Sequence, residues 1–230
     1  MMINNNQIHP TAIIGENVSL GSNNTIGPFS IIEGNTIIGD NNTIGPHVVI
    51  GCEPTDSKHI ERNIDSMILR IGNNNIIREY SLIELPCYEN ETIVGNNVFL
   101  MQGVHISHDV HLLDNVTITN FSVLAGIVKV LQGADIAMSC SINQYTTIGH
   151  YSICATNAAV MKNVKPFSRF IPNKPISVNY YAIKKFGFEE YTEEIENYVL
   201  NETMPTSKII VLIINEFDQW VAKYGHNTYE

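Results

Sequence analysis

Aliphatic residues recur at every sixth position through the middle of the chain. The series runs Val94, Leu100, Ile106, Leu112, Ile118, Leu124, Val130, Ile136, Ile142 and Ile148, and Cys154 and Val160 complete it. Four residues after each comes a small or β-branched residue, from Val98, Val104 and Val110 through to Ala158 and Val164. A period of six fits neither an amphipathic helix nor a heptad coil. It marks a hexapeptide β-solenoid, in which each hexad is a short strand plus a turn and three hexads close a triangular coil. The same series opens the chain at Ile8, Ile14, Leu20, Ile26, Ile32, Ile38, Ile44 and Ile50. Glycine follows most of these, and asparagine crowds the turns. Both tolerate the positive φ that sharp corners demand.

The phase breaks twice. From Ile50 to Ile71 the step is 21 residues rather than six, so residues 52–69 leave the prism as an excursion loop. The repeat resumes at Ile71, Ile77 and Ile83, then skips through L-P-C-Y-E-N-E-T before Val94. After Val164 the hexads stop. The proline-punctuated stretch K-P-F-S-R-F-I-P-N-K-P places a linker at about 166–177. Tyr191, Ile195 and Tyr198 then form one helical stripe, and Ile210, Ile213, Ile214, Phe217, Trp220, Val221 and Tyr224 a longer one. Thr206 or Ser207 would cap the longer helix and Gly225 would stop it. The expected architecture is an all-β solenoid over residues 1–165, a parallel β-helix, with a small α-helical cap over 178–230.

Composition narrows the function. A net charge of −10 with 13 lysines and arginines argues against nucleic acid as a general partner. No basic cluster suggests membrane attachment, no apolar run reaches 18 residues, and the N-terminus lacks the features of a signal peptide. Cys52, Cys87, Cys140 and Cys154 form no CxxC pair or disulfide-like framework, and Cys140 and Cys154 fall at inward positions. These features point to a soluble protein of a reducing compartment, the cytoplasm.

An interior filled by aliphatics leaves chemistry to the outside. Alternate strand residues face opposite ways, so His105, between two inward positions, points out. His108 and Asp109 fall on a corner. Residues 18 apart stack in adjacent coils, which puts His108, Gly126 and Gln144 in one column and Asp109, Ile127 and Tyr145 in the next. His105 and His111 lie on different faces and cannot converge on one ion, so no metal site is expected. His108 beside Asp109 suits general-base work, with the carboxylate orienting the imidazole. Gly126 one coil above would let a backbone N–H approach a developing oxyanion. The other reading of His108 is a turn histidine with no chemical role. Lys58 stands out in the excursion loop, where a solvated surface lysine is the alternative.

The segments I-H-P-T-A-I-I-G, V-H-I-S-H-D, L-A-G, N-Q-Y and V-N-Y-Y-A-I-K-K-F-G-F resemble, in matching order over about residues 7–190, the UDP-N-acetylglucosamine O-acyltransferases of lipid A biosynthesis. The resemblance implies a left-handed β-helix, a homotrimer with active sites in clefts between subunits, and acyl transfer from a thioester to a nucleotide sugar. No permanently bound cofactor is implied. By position it makes His108 the general base, Asp109 its orienter and the Gly126 N–H the oxyanion donor. His105 and Gln144 would contact the substrate or its acyl arm. Lys58 would lie near the sugar nucleotide, and Asn179 and Lys185 would contact the nucleotide. The chain departs from the family pattern at Ile127 (histidine in the family), Phe186 (a basic residue) and Tyr181 (an acid). All three fall where the acceptor would bind. With few basic groups to dock an acidic carrier protein, the departures favour an enzyme that acylates a nucleotide-linked amino sugar from an acyl-CoA such as acetyl-CoA. Such an enzyme would serve surface polysaccharide, O-antigen or lipopolysaccharide synthesis. The first alternative is an acyl-carrier-protein-dependent UDP-N-acetylglucosamine 3-O-acyltransferase. The second is a non-catalytic hexapeptide scaffold.

Overall fold

The computed structural model describes residues 5–57 and 66–229. The chain winds into a left-handed parallel β-helix of triangular section. Its short strands fall into three faces, taken in the order the chain visits them. The first begins with Gln7–Ile8, the second with Ile13–Ile14 and the third with Val18–Leu20. Each strand pairs in parallel with the strand one coil on, as Phe99 does with Thr117 and Leu100 with Ile118. The inward aliphatics stack into one continuous core. Leu100, Ile106, Leu112, Ile118 and Leu124 are all fully buried, and a side chain so buried stabilises the fold by about 1.5–3 kcal/mol. Cys140 and Cys154 lie in this core as free thiols, and burial pushes both thiols upward.

The two phase breaks open on one edge, between the second and third faces. The strand Val49–Cys52 belongs to the second face and Ile68–Ile71 to the third. The excursion is therefore shorter at both ends than the repeat implies. Lys58 lies outside the described residues. Ile38 pairs with Ile71, and Ile71 with Val94, so these coils take 33 and 23 residues where a plain coil takes 18. The second excess is the loop 85–90, between Leu82–Glu84 and Glu91–Val94.

Asparagine takes positive φ at the corners as the sequence led one to expect, but most glycines of the repeat do not. Positive φ belongs to turn residues such as Asn23, Asn41 and Asn74, and equally to Phe29, Asp109, Ile127 and Tyr145. Gly27 keeps an ordinary φ and is needed because the next coil runs so close. A Cβ there would lie 2.7 Å from the Gly45 carbonyl carbon. A second set of asparagines, at the edge between the third and first faces, forms a buried ladder. The Oδ1 atoms of Asn6, Asn24 and Asn42 accept the backbone N–H of Asn24, Asn42 and Asn75 at 2.7–2.9 Å. Their amide groups donate to carbonyls of Gly21, Gly39 and Gly72. The N–H groups of Asn24, Asn42 and Asn75 are buried, and a buried donor needs such a partner in place of water.

The solenoid runs further than the sequence suggested. Within the presumed linker, Ser168–Phe170 pairs in parallel with Ile153–Cys154 and antiparallel with Ser177–Val178. Phe167 is fully buried there. Prolines 166, 172 and 175 therefore punctuate a last partial coil. Three α-helices follow among the described residues: α1 (Tyr180–Lys185), α2 (Thr192–Asn201) and α3 (Lys208–Tyr224). Ile210, Ile214 and Phe217 of α3 are buried, and Gly225 ends it with φ 68°. Ser207 holds the N-cap position of α3, but its hydroxyl donates to Glu194 Oε1 at 2.6 Å and makes no cap bond.

The asparagine ladder gives a direct test. Asn42→Ala removes the acceptor of the Asn75 N–H and the donor to Gly72, and a buried group left unpaired costs about 1–3 kcal/mol. Thermal melting should show a loss on the order of 3 kcal/mol for this variant. Asn41→Gly, at the neighbouring positive-φ position, should cost only a few tenths. Equal losses would contradict the ladder's structural role.

Candidate active site

His108 and Asp109 form the turn between the strands His105–Ile106 and His111–Leu112. That turn lies on the same edge as both excursions. Asp109 takes φ 61° and is fully buried. Its Oδ1 accepts the N–H groups of Cys87 and Glu89 at 3.0 and 2.8 Å, and its Oδ2 accepts that of Tyr88 at 2.9 Å. The loop 85–90 thus closes around this carboxylate as an anion nest. Oδ2 also lies 2.7 Å from His108 Nδ1. A carboxylate can only accept, so Nδ1 carries the proton and Nε2 keeps its lone pair. The imidazole is about nine-tenths buried, against the Tyr88 ring at 5.5 Å and the backbone of Gly126. A Cβ on Gly126 would lie 2.5 Å from Nε2. Glycine at 126 therefore makes room for the ring, a need more immediate than access of its N–H to an oxyanion.

The sequence read His108 as an outward corner residue and Asp109 as its orienter. The structure keeps the pair and changes the setting. The imidazole is largely enclosed, and Asp109 also organises a loop. His105 faces a residue that sequence reasoning missed: its Nε2 lies 2.9 Å from Oε1 of Glu84. Glu84 is fully buried, and its Oε2 also accepts the backbone N–H of His108 at 3.1 Å and of Thr55 at 3.3 Å. Burial works to raise the Glu84 pKa, but the hydrogen bonds from His105 and Thr55 prevail and hold it below the usual carboxylate value. The only signal in the sequence was an acid placed immediately before the second phase break.

A second cluster adjoins the nest. Lys129, one coil above His111, is fully buried beneath α3. Its ammonium donates to Glu89 Oε2 at 2.7 Å and to the Asp109 carbonyl at 2.8 Å, and lies 5.5 Å from the centre of the Trp220 ring. Glu89 also receives Lys223 at 2.8 Å and the Tyr224 hydroxyl at 2.6 Å. Burial opposes ionisation of Glu89, but its donors, Lys129 first, bring it down to about 2. Burial, aided by the Lys129 charge, brings His111 down to about 4.

Gln144 is exposed two coils above His108, in the same column. Asn179 and Lys185 lie elsewhere, beside the edge between the third and first faces. Asn179 is buried and both ends of its amide are engaged. Its Nδ2 donates to the Tyr151 carbonyl at 2.9 Å, and its Oδ1 caps α1. Lys185 is exposed near Asp135 and the Phe186 ring. Within one chain these two do not join His108.

The sequence matches the bacterial transferase hexapeptide (six repeats) model over residues 17–52 and 91–126. It is 34% identical over 143 residues to the acyl-[acyl-carrier-protein]–UDP-N-acetylglucosamine O-acyltransferase of Herminiimonas arsenicoxydans, covering 60% of this chain and 53% of that one. The protein of the same name from Gloeothece citriformis is 36% identical over 145 residues, covering 62% and 51%. The chain thus spans about half the length of the curated relatives it matches. Among solved structures, a UDP-N-acetylglucosamine acyltransferase from Bacteroides fragilis aligns over 100% of both chains with a TM-score of 0.73 and 25% identity. That from Francisella novicida aligns over 97% of this chain and 89% of its own, with a TM-score of 0.64 and 26% identity.

Two tests follow from this geometry. Asp109→Asn turns an NH2 group toward backbone donors whichever way the amide sits. It should cost about 2 kcal/mol of stability, measured by denaturant titration. His111 titrates at 6.5 when unperturbed and at about 4 in the fold. Between those values the unfolded chain takes up a proton that the folded chain refuses. Its contribution to stability is whole above pH 6.5 and fades as pH falls toward 4. His111→Gln should therefore flatten the fall in melting temperature across that window.

Proposed function

We propose that this chain, built on the hexapeptide-repeat β-helix and similar to UDP-N-acetylglucosamine O-acyltransferases, transfers an acyl group from a thioester to a nucleotide-linked sugar. One observation carries the proposal: a histidine whose Nδ1 is tied to a buried carboxylate while its Nε2, free for a proton, lies over a glycine. Nε2 of His108 takes the proton from the acceptor as it attacks the thioester carbonyl. Asp109 fixes the tautomer and stabilises the imidazolium that forms. The carbonyl oxygen gains charge, and the backbone N–H of Gly126 receives it. As the oxyanion re-forms the carbonyl, the C–S bond breaks, and the imidazolium returns the proton to the departing thiolate sulfur.

The names of the relatives favour a carrier-protein-bound donor and O-acylation of UDP-N-acetylglucosamine. This reading replaces the one that the departures at Ile127, Phe186 and Tyr181 had favoured, acyl-CoA transfer to an amino sugar. The alignment over both full chains with a UDP-N-acetylglucosamine acyltransferase supports the same acceptor. A homotrimer fits as well. Val123, on the outward side of the second face and paired with His105, is 41% exposed, and Ile13 on the same face is 59% exposed. Asn179 and Lys185 sit on a different edge from His108, so Lys185 serves this substrate only across a subunit boundary. Lys58 retains its proposed place near the sugar nucleotide, and His105 and Gln144 theirs near the substrate or acyl arm.

A direct assay decides the donor. The protein is incubated with UDP-N-acetylglucosamine and matched acyl-carrier-protein and acyl-CoA thioesters, and free thiol is followed. The carrier-bound donor should give the higher kcat/KM. Preference for CoA, or for a nucleotide-linked amino sugar, would restore the alternative. With the preferred pair, His108→Ala should lower kcat by about 10²–10⁴-fold and leave acceptor KM within a few-fold. The acidic limb of the pH–rate profile should vanish with it. Full kcat in this variant would exclude His108 as the base, whereas no turnover of any thioester by the unaltered protein would leave the scaffold reading.

A further inference from the structure

Asp109, Glu89 and Lys129 form a closed ring. The Glu89 backbone N–H donates to the Asp109 carboxylate at 2.8 Å. The Glu89 side chain accepts from Lys129 Nζ at 2.7 Å. Lys129 Nζ completes the circuit on the Asp109 carbonyl at 2.8 Å. The same glutamate is the anchor of the last turn of α3, through Lys223 and Tyr224. We infer that Glu89 is a positioning residue for the His108–Asp109 pair, through which docking of the C-terminal helix sets the orientation of the general base.

This inference rests on the proposed role of His108. The physical argument is one of constraint. Asp109 holds a left-handed backbone conformation, in which an L-residue is strained. Its carboxylate reaches His108 Nδ1 only while that backbone stays in place. Three loop N–H groups fix the carboxylate, and Lys129 fixes the carbonyl. Glu89 is the member common to both restraints, one through its main chain and one through its side chain. Lys129 is fully buried, so its charge holds Glu89 with little competition from water. The Trp220 ring covers the ammonium, so the ring's rigidity depends on α3 being seated. Helix and base are joined by three hydrogen-bonded steps: Tyr224 or Lys223 to the Glu89 carboxylate, the Glu89 N–H to Asp109, and Asp109 to His108.

The test uses the full-length protein with 15N-labelled histidine. The Nδ1 proton of His108 is followed by NMR without substrate, and kcat and acceptor KM are followed against pH. Glu89→Gln should move or broaden the Nδ1 resonance. It should also lower kcat by roughly 10- to 100-fold, as displacement of a catalytic group by about 1 Å does. Acceptor KM should stay within about two-fold, and the acidic limb of the pH profile should shift. Unchanged resonance and limb in a folded Glu89→Gln protein would overturn the inference. If Glu89→Gln does not fold, Lys223→Met with Tyr224→Phe decides. That pair releases the helix side of Glu89 and leaves Lys129 matched. An unaltered Nδ1 resonance there would overturn the inference equally. Failure of the base assignment is distinct. It would appear as retained kcat in His108→Ala, and the resonance would still report whether Glu89 holds the imidazole.

Discussion

Every coil must lie flat on the next. The parallel ladders set residues 18 positions apart side by side, as His105 beside Val123 or Lys129 beside Thr147, with the N–H of His105 donating to the Ser122 carbonyl and that of Lys129 to the Thr146 carbonyl. Strands so joined sit about 4.8 Å apart. A residue added within a strand would shift the whole set of inward side chains to the outside. Additions are tolerated only at a corner, where the chain can leave and return in register. Both breaks here use the same edge. The constraint that makes the prism monotonous therefore also determines where it can vary, and the unusual chemistry gathers at that place.

The inserted loop 85–90 shows what such a departure can build. Five extra residues, 23 in this coil against 18 in a plain one, are too few to make a core. They gain order from the charge they surround, because three successive N–H groups converge on the Asp109 carboxylate. Hydrogen bonds to an ionised group are worth roughly 1.5–3 kcal/mol each, about twice a neutral pair. The interaction that orients the imidazole thus also folds the loop, and neither can be altered alone. Glu84 applies the same economy before the loop begins, joining the His105 ring, the His108 main chain and the start of the long excursion at Thr55.

The fold could be read from the sequence because it is periodic. Ile106, Leu124 and Ile142 announce their inward direction by spacing alone, and columns 18 apart place Gly126 on His108. The helical stripes of α2 and α3 follow from residues three and four apart. What escaped lies off the period. Glu84 and Glu89 flank or occupy a phase break, where spacing carries no information about direction. Lys129 stands at an outward position and would be solvated on a bare prism. Only α3, some ninety residues further on, buries it. Asn179 carries a family motif, yet its amide is spent on a helix cap and on Tyr151, a local use that the motif does not reveal. The presumed linker misled for a physical reason. Proline at 166 and 172 falls at turns of a last partial coil and Pro175 just ahead of its final strand, where no ladder donor is required.

The distribution of buried charge completes the picture. Glu84, Asp109 and Lys129 are fully buried, and all three lie on or beside the one edge. Ion pairs in such settings add little net stability over apolar packing, because desolvation offsets attraction. Their cost when broken is large, since a lone charge remains inside. A cluster with this balance is a poor device for holding a solenoid together, and the aliphatic stack already does that. It is a good device for allowing only one arrangement of a loop, a lysine and an imidazole. Its position around His108, rather than anywhere else along the prism, is the strongest physical reason to place the chemistry there.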